Sequence, residues 1–434
     1  MAQVANLAKI PELRKRILFT LGMLAVFRVG IFVHTPWIQA EAVAKFLQSG
    51  TVFEIFKLFS GGALEQFSVF ALGIMPYISA SIIFQLLTVA VPAVERLSKE
   101  GEAGRRKITQ YTRYATVALS LIQGFGISYG LRSQGFATPG IPAMTFYFCT
   151  VLTLAAGTSF LMWLGEMITE RGIGNGISLI IFAGIISSIP GGFQNAWESK
   201  EQYGSLFGFL FLLAALAVVI GFIIYMERAQ RRLPVQYAKR VVGRQLVGIQ
   251  AAHLPLKVNS AGVIPPIFAS SVILFPATIA QFSPDNPFLN SLANLMTSGW
   301  VYVALYGGLI IFFCYFYTAV AFNPVDVAEN LKKQGGYIPG IRPGKSTADY
   351  IDQVLSRITL GGALYITAVC LIPTFIGDRF GIPRTLTQVF GGTSLLIMVG
   401  VGMDTLAQIE AHMLSRHYEG FLGAKGGGRF RGRR

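Results

Sequence analysis

Apolar residues run along this chain in blocks of about 19 positions, with neither the period-two alternation of a half-buried strand nor the single stripe of a soluble helix. Ten blocks are read as membrane-crossing helices: 17–33, 70–91, 114–131, 145–169, 176–189, 205–226, 259–281, 301–322, 358–376 and 387–406. Two are weak. The second is interrupted by Gly73 and Pro76, and the fifth is short and follows Gly172, Gly174 and Gly176. Between the first two blocks, 56–67 is moderately apolar but too short to span, so it reads as re-entrant or interfacial.

Charge settles the weak blocks. The 434 residues carry 36 Lys and Arg against 21 Asp and Glu, a formal charge of +15. With ten crossings, 29 of the basic residues fall on one face and 6 on the other, and Arg28 lies inside the first block. Omitting either weak block would scatter the basic loops over both faces. The positive-inside effect then puts both termini in the cytoplasm. The polar, basic stretch 1–16 leads into a first span read as retained, since no small-residue cleavage pattern follows it. The tail 407–434 ends in a Gly/Arg-rich run expected to be disordered. Two cytoplasmic connections, 227–258 and 323–357, are long, charged, and bear Gly and Pro, so they are expected to carry function.

Composition agrees with this reading. Hydrophobic residues make up 53% and charged residues 13% of the chain, where soluble proteins average roughly 25% charged. A soluble enzyme or a nucleic-acid-binding domain is excluded as a reading of the whole chain. Reaction chemistry is also thin. Cys149, Cys314 and Cys370 lie far apart in apolar runs and read as buried free thiols. His412 and His417 miss the i, i+4 metal spacing, His34 and His253 sit at loop edges, and Asp404 stands alone at the end of a block. No metal or cofactor is expected.

Gly340-Ile341-Arg342-Pro343-Gly344-Lys345-Ser346 imitates a phosphate-binding loop, but it has three residues between its glycines where that loop has four, and no apolar strand precedes it. Gly172-Ile173-Gly174-Asn175-Gly176 lacks the third spaced glycine of a dinucleotide site. One functional reading open to a polytopic chain is an ion-coupled secondary transporter of small solutes, which would use a broken helix and midplane charges. The second block qualifies as broken. Arg28 is the only clear charge well inside a block, at an insertion cost of about 2.5 to 3.5 kcal/mol. The blocks otherwise hold uncharged polar residues such as Ser79, Ser81, Gln85, Asn259, Ser270 and Ser271.

Four stretches carry a resemblance: Gly73-Ile74-Met75-Pro76-Tyr77-Ile78-Ser79-Ala80-Ser81, Gly172 to Ser178, His253-Leu254-Pro255-Leu256-Lys257-Val258-Asn259 running on to Pro265, and Pro339 to Gly344. In this order, with ten spans, the chain resembles the SecY/Sec61-alpha family over essentially its whole length. These are the large channel subunits of the Sec protein translocase. The resemblance implies an all-α polytopic protein of a bacterial cytoplasmic (inner) membrane, with ten transmembrane helices in two pseudo-symmetric inverted halves around a central hourglass pore. The halves would be 17–189 and 205–406, joined by an external hinge at 190–204. Unfolded secretory polypeptides would pass through, and transmembrane segments would leave sideways into lipid, driven by a motor or ribosome and without catalysis by this chain.

The resemblance also assigns residues. A pore ring would comprise Ile74, Ile78, Ile181, Ile185, Ile267 and Ile397. The plug, about 58–67, would comprise Leu58, Phe59, Ser60, Gly61, Gly62, Ala63, Leu64, Glu65, Gln66 and Phe67. Ser79, Gln85, Asn259 and Phe275 would flank a lateral gate, and Arg244, Lys257 and Arg342 would dock the ribosome or the SecA ATPase. SecE and SecG would be the small membrane partners, and signal-bearing polypeptides and lipids the substrates and surroundings. The physics suits such a pathway: apolar walls bind no one sequence tightly, and a ring of β-branched side chains can close by dewetting. Ile74/Ile78 and Ile181/Ile185, spaced i, i+4, are expected to share a helix face within each pair.

Overall fold

The computed structural model describes residues 11–39, 42–43, 60–64, 66–198, 206–237, 241–242, 245–246, 252–281, 291, 295–296, 299–380 and 391–425. In chain order the helices and strands are α1 (Pro11–Gly30), α2 (Met75–Ala90), α3 (Pro92–Lys99), α4 (Glu102–Ser133), α5 (Ala143–Arg171), α6 (Gly176–Glu198) and α7 (Leu206–Arg228). There follow β1 (Gln230–Tyr237), β2 (Val241–Val242), β3 (Gln245–Leu246), β4 (Ala252–Lys257), α8 (Ile264–Gln281), α9 (Gly299–Ala321), α10 (Pro324–Lys333), β5 (Gly336–Tyr337), α11 (Lys345–Phe380) and α12 (Gly392–Lys425).

A helix lies over each of the ten apolar blocks. Among the described residues, five helices are long and apolar enough to cross a membrane, or six if the bent pair α2–α3 counts as one span. Large apolar side chains face outward, among them Val29, Met144, Phe148, Val218, Tyr225 and Trp300. In water such a surface would aggregate; in lipid it is the expected exterior.

The chain is mostly helical rather than all-helical, which corrects the sequence expectation. The connections 227–258 and 323–357 contribute a three-stranded sheet of order β4-β1-β5, and β2 pairs with β3. β1 and β4 run antiparallel with Leu233 opposite Leu254 and Gln230 opposite Lys257. Leu233 and Val235 point into the core while Arg232, Pro234 and Gln236 are exposed, the period of two that one buried face imposes. Pro234 is tolerated in the middle strand because β5 pairs only with Gln236 and Tyr237, leaving the edge beside Pro234 free.

The second block is also revised. α2 begins only at Met75, and 70–74 forms turns in place of helix. Pro92 ends α2: the residue before a proline is driven out of the helical region, Val91 takes φ −114° and ψ 113°, and α3 leaves at 98° to α2.

Two compact units can be distinguished. The first comprises Met1–Tyr77, Arg113–Ser188 and Ile397–Arg434. In it α1 packs on α5, and Phe70 stacks between Phe27 and Phe160 at ring separations of 6.2 and 5.8 Å. Small residues let backbones meet there, as membrane helices require: a Cβ on Gly157 would strike the Val69 carbonyl.

The second unit comprises Ile78–Thr112 and Ile189–Leu396. α9 packs against both α8 and α11, and Gly392 admits the backbone of Val369. The part built from the two long connections has its own core, in which Leu233, Val235 and Leu256 of the sheet meet Leu331 of α10, Ile338, and Ile351 and Val354 of α11. α10 starts by rule: Asn323 caps it, its side-chain oxygen accepting from the Val325 amide at 3.1 Å, and Pro324 takes the first turn.

Candidate functional site

In the first unit, a turn sits against α6. Ser60, Ala63, Leu64 and Phe67 are buried; Leu58, Phe59 and Glu65, assigned to the same plug, lie outside the described residues. The turn is held by its own amides, with Ala63 donating to the Ser60 carbonyl at 3.2 Å and Ser68 to Ala63 at 2.9 Å. Gly61 and Gly62 take φ of 62° and 87°, which favours glycine. Gly61 also needs the space, since a Cβ there would lie 2.7 Å from the α-carbon of Gly184. Gly184 stands on α6 between Ile181 and Ile185 in sequence, two of the isoleucines assigned to the pore ring.

All six ring isoleucines are buried, between 0% and 6% exposed. Ile74, Ile181, Ile185 and Ile397 belong to the first unit, Ile78 and Ile267 to the second. Ile74 precedes α2 in a turn, whereas Ile78 is in the first turn of that helix. The shared helix face expected of that pair therefore does not form, while Ile181 and Ile185 both lie on α6 as expected.

The polar residues assigned to a gate all fall in the second unit. Ser79 is half-buried. Gln85 donates from Nε2 to Ser81 Oγ at 3.3 Å, one turn earlier on α2, and its buried Oε1 has no partner among the described residues. Asn259 is buried and donates from Nδ2 to Glu227 Oε1 and to the Gly262 carbonyl, the latter at 3.1 Å. It thereby ties the end of α7 to the turn that enters α8. Glu227 was not singled out from the sequence; it lies at the boundary between block and loop, where a charge has ordinary reasons to be. Phe275 lies on α8. Ser270 and Ser271 satisfy their hydroxyls on backbone carbonyls one turn back, including that of Ile267.

Of the docking residues, Arg244 lies outside the described residues, and Lys257 is exposed at the end of β4. Arg342 is exposed in a loop built to present it. Ile338 and Ile341 anchor the loop in the sheet core. Gly340 and Gly344 supply φ of 84° and 109°, and the buried Thr347 hydroxyl donates to the Arg342 carbonyl at 2.9 Å. The backbone is pinned and the guanidinium is left in water. On α3, outside the 70–91 block, Lys99 donates to Glu95 at 2.6 Å and holds that carboxyl below the usual range.

The other glycine motif has a different use. Where α5 gives way to α6, successive amides are taken by side chains: Ile173 by Thr20 at 3.1 Å, Gly174 by Gln408 at 2.9 Å and Gly176 by Thr169 at 2.9 Å. The Ile177 and Ser178 amides share Asn175 Oδ1, an N-cap. The motif joins α1, α5, α6 and α12, and the amides of Gly172, Ile173, Gly174 and Gly176 are all taken within the fold.

The sequence profile of the SecY family matches residues 68–406. Protein translocase subunit SecY of Escherichia coli strain K12 is 53% identical over 425 residues, covering 95% of this chain and 94% of that protein. The subunit of the same name from Vibrio cholerae is 51% identical over 424 residues, covering 95% and 94%. Among solved structures, one described as the structure of a protein conducting channel matches with a TM-score of 0.68 at 17% identity, covering 95% of this chain and 97% of that one. Sec61 in the canine ribosome-channel complex from the endoplasmic reticulum matches at 0.64 and 16% identity, covering 95% and 97%. At such identities the likeness speaks for the fold.

Proposed function

The chain belongs to the SecY family, and we propose from that premise which of its residues seal, gate and couple the channel. It is a protein-conducting channel subunit, a multi-pass protein of a bacterial membrane, and not an enzyme. The ion-coupled transporter reading finds no support among its relatives.

In our reading the chain crosses the membrane ten times with both termini in the cytoplasm, as two inverted halves, 17–189 and 205–406, around an hourglass pore. Ile74, Ile78, Ile181, Ile185, Ile267 and Ile397 form the constriction, and the 58–67 segment is the plug beneath it. The observation that carries this reading is the seat of Gly61 on Gly184, between Ile181 and Ile185. A turn whose Gly61 leaves no room for a side chain against α6, the helix that carries two ring positions, supports a plug seated where the ring narrows the path. The ring excludes ions by staying dry, and β-branched methyl groups with no polar atoms can part around an extended polypeptide of any sequence.

Sideways release uses the polar residues of α2 and α8. The unpaired Gln85 Oε1 supports this role, because a buried acceptor without a donor weakens dry packing around it. A signal helix that buries apolar surface competes against contacts of that kind. Arg342, Lys257 and Arg244 dock the ribosome or the SecA motor. The exposed, backbone-pinned Arg342 supports this role, as does the ribosome-bound state of the Sec61 relative. SecE and SecG complete the assembly, and signal-bearing unfolded polypeptides are the cargo.

The test is conductance. Replacing Ile181, Ile185 and Ile397 together with Ser is expected to raise the resting ion conductance of the reconstituted channel severalfold, because hydroxyls wet a constriction that methyl groups keep dry. Wild-type sealing by the triple variant would remove these residues from the ring.

A further inference from the structure

Arg28 lies inside the first apolar block, where a charge is costly unless it is paired, and neither the ring, the gate nor the docking surface gives it a task. Its surroundings do. Phe27, the preceding residue, is 2% exposed and stacks on Phe70. Two residues later, a Cβ on Gly30 would collide with that same Phe70 ring. These contacts fix α1 against the segment that follows the plug turn, so the Arg28 side chain starts from a backbone with little freedom.

From there its Nη1 donates to the carbonyl of Gly61 at 3.0 Å. Its guanidinium carbon also lies 5.9 Å from the centre of the Phe32 ring. Gly61 is the residue at which an added Cβ would lie 2.7 Å from the α-carbon of Gly184 on α6. A guanidinium in apolar surroundings holds an acceptor more firmly than a neutral donor does. The Phe32 face gives the cation a second, weaker partner when that acceptor is withdrawn.

We propose that Arg28 is a positioning residue for gating: its hydrogen bond to the Gly61 carbonyl latches the 60–64 turn onto α6 and sets how readily the closed channel opens. The inference rests on reading 58–67 as the plug. It explains why a charge is kept at this depth, and it assigns the task to a directional donor at one position.

The full-length chain, purified with its co-assembling subunits and reconstituted in planar bilayers, provides the test through four proteins: wild type, Arg28→Gln, a deletion of residues 60–64, and the two changes combined. Loss of a charge-assisted hydrogen bond that steadies the closed state is expected to raise spontaneous opening by about threefold to tenfold in Arg28→Gln. The deletion is expected to leak, and adding Arg28→Gln to it is expected to change nothing further, because the acceptor has already gone. Arg28→Lys keeps the charge but loses the planar fork, so a smaller rise is expected; should Arg28→Gln not accumulate, Arg28→Lys stands in for it in the same comparison.

Wild-type sealing by Arg28→Gln alongside a leaking deletion would overturn the latch and leave the plug intact as an idea. A leak that adds in full to that of the deletion would also overturn it, pointing to a loosened α1. A deletion that seals like wild type would overturn the plug reading and the latch with it.

Discussion

At Gly172 and Gly176 there is no room for a side chain. A Cβ on Gly176 would enter the Gly165 carbonyl, and one on Gly172 the Thr20 hydroxyl. At Gly340 and Gly344 there is nothing within 4 Å of an added Cβ, but the backbone takes φ of 84° and 109°. The first pair of glycines serves close packing and the second serves chain direction. Both motifs imitate phosphate-binding loops in sequence, and the surroundings decide otherwise in each. Around 172–176 the amides are consumed by Thr20, Gln408, Thr169 and Asn175. Around 340–344 the apolar neighbours sink into the sheet core and one arginine is left exposed. A glycine-rich signature thus becomes a helix junction where side chains fill its amides, and a display loop where side chains anchor its ends.

The contrast can be broken by substitution. The largest effect is expected from Gly176→Val, which drives branched carbons into the α5 backbone. Overpacking of this kind costs about 1 to 3 kcal/mol, enough to lower both the amount of folded protein in the membrane and its melting temperature in detergent. Normal accumulation of that variant would show that the junction can relax and that its glycines are not there for space.

Arg342→Glu comes next, and its effect is functional. The residue is exposed and its anchoring bond uses its own carbonyl, so accumulation should match wild type. Motor- or ribosome-driven export measured in membrane vesicles should fall severalfold. Unchanged export would reduce Arg342 to one more topogenic charge. The smallest effect belongs to Gly340→Ala. It has free space and pays only the left-handed penalty, about 1 to 2 kcal/mol, so the melting temperature should dip slightly with export nearly unchanged. A large loss there would mean that the loop transmits its conformation to the sheet core.

How much could be read beforehand follows from the range of each signal. The apolar blocks were legible because a membrane helix is written in consecutive residues; each block overlaps a helix, and among the described residues five of the helices, or six with the bent pair, are long and apolar enough to cross a membrane. The strands were not, because a window of about 19 residues averages away alternation as short as Leu233, Val235 and Tyr237. The break at Pro92 was present in the sequence as a proline, but its 98° bend depends on what packs beside it. Arg28 was visible as an anomaly without a partner; the partner is a backbone carbonyl 33 positions away, which no side-chain pattern announces. Asn259 was assigned to the gate on resemblance, and its hydrogen bonds to Glu227 and Gly262 join α7 to the entry of α8.

By itself the sequence determined the apolar blocks, the charge asymmetry between their loops, and the motifs that mark the family. These are local sums of transfer free energy and charge, and they need no knowledge of which segments meet. Tertiary structure alone decided that two distant loops share one sheet and core, that Gly61 packs too close to Gly184 for a side chain, and that Arg28 reaches the Gly61 carbonyl. Such contacts depend on backbones approaching closely enough to exclude a methyl group, and that proximity exists only after the helices have packed.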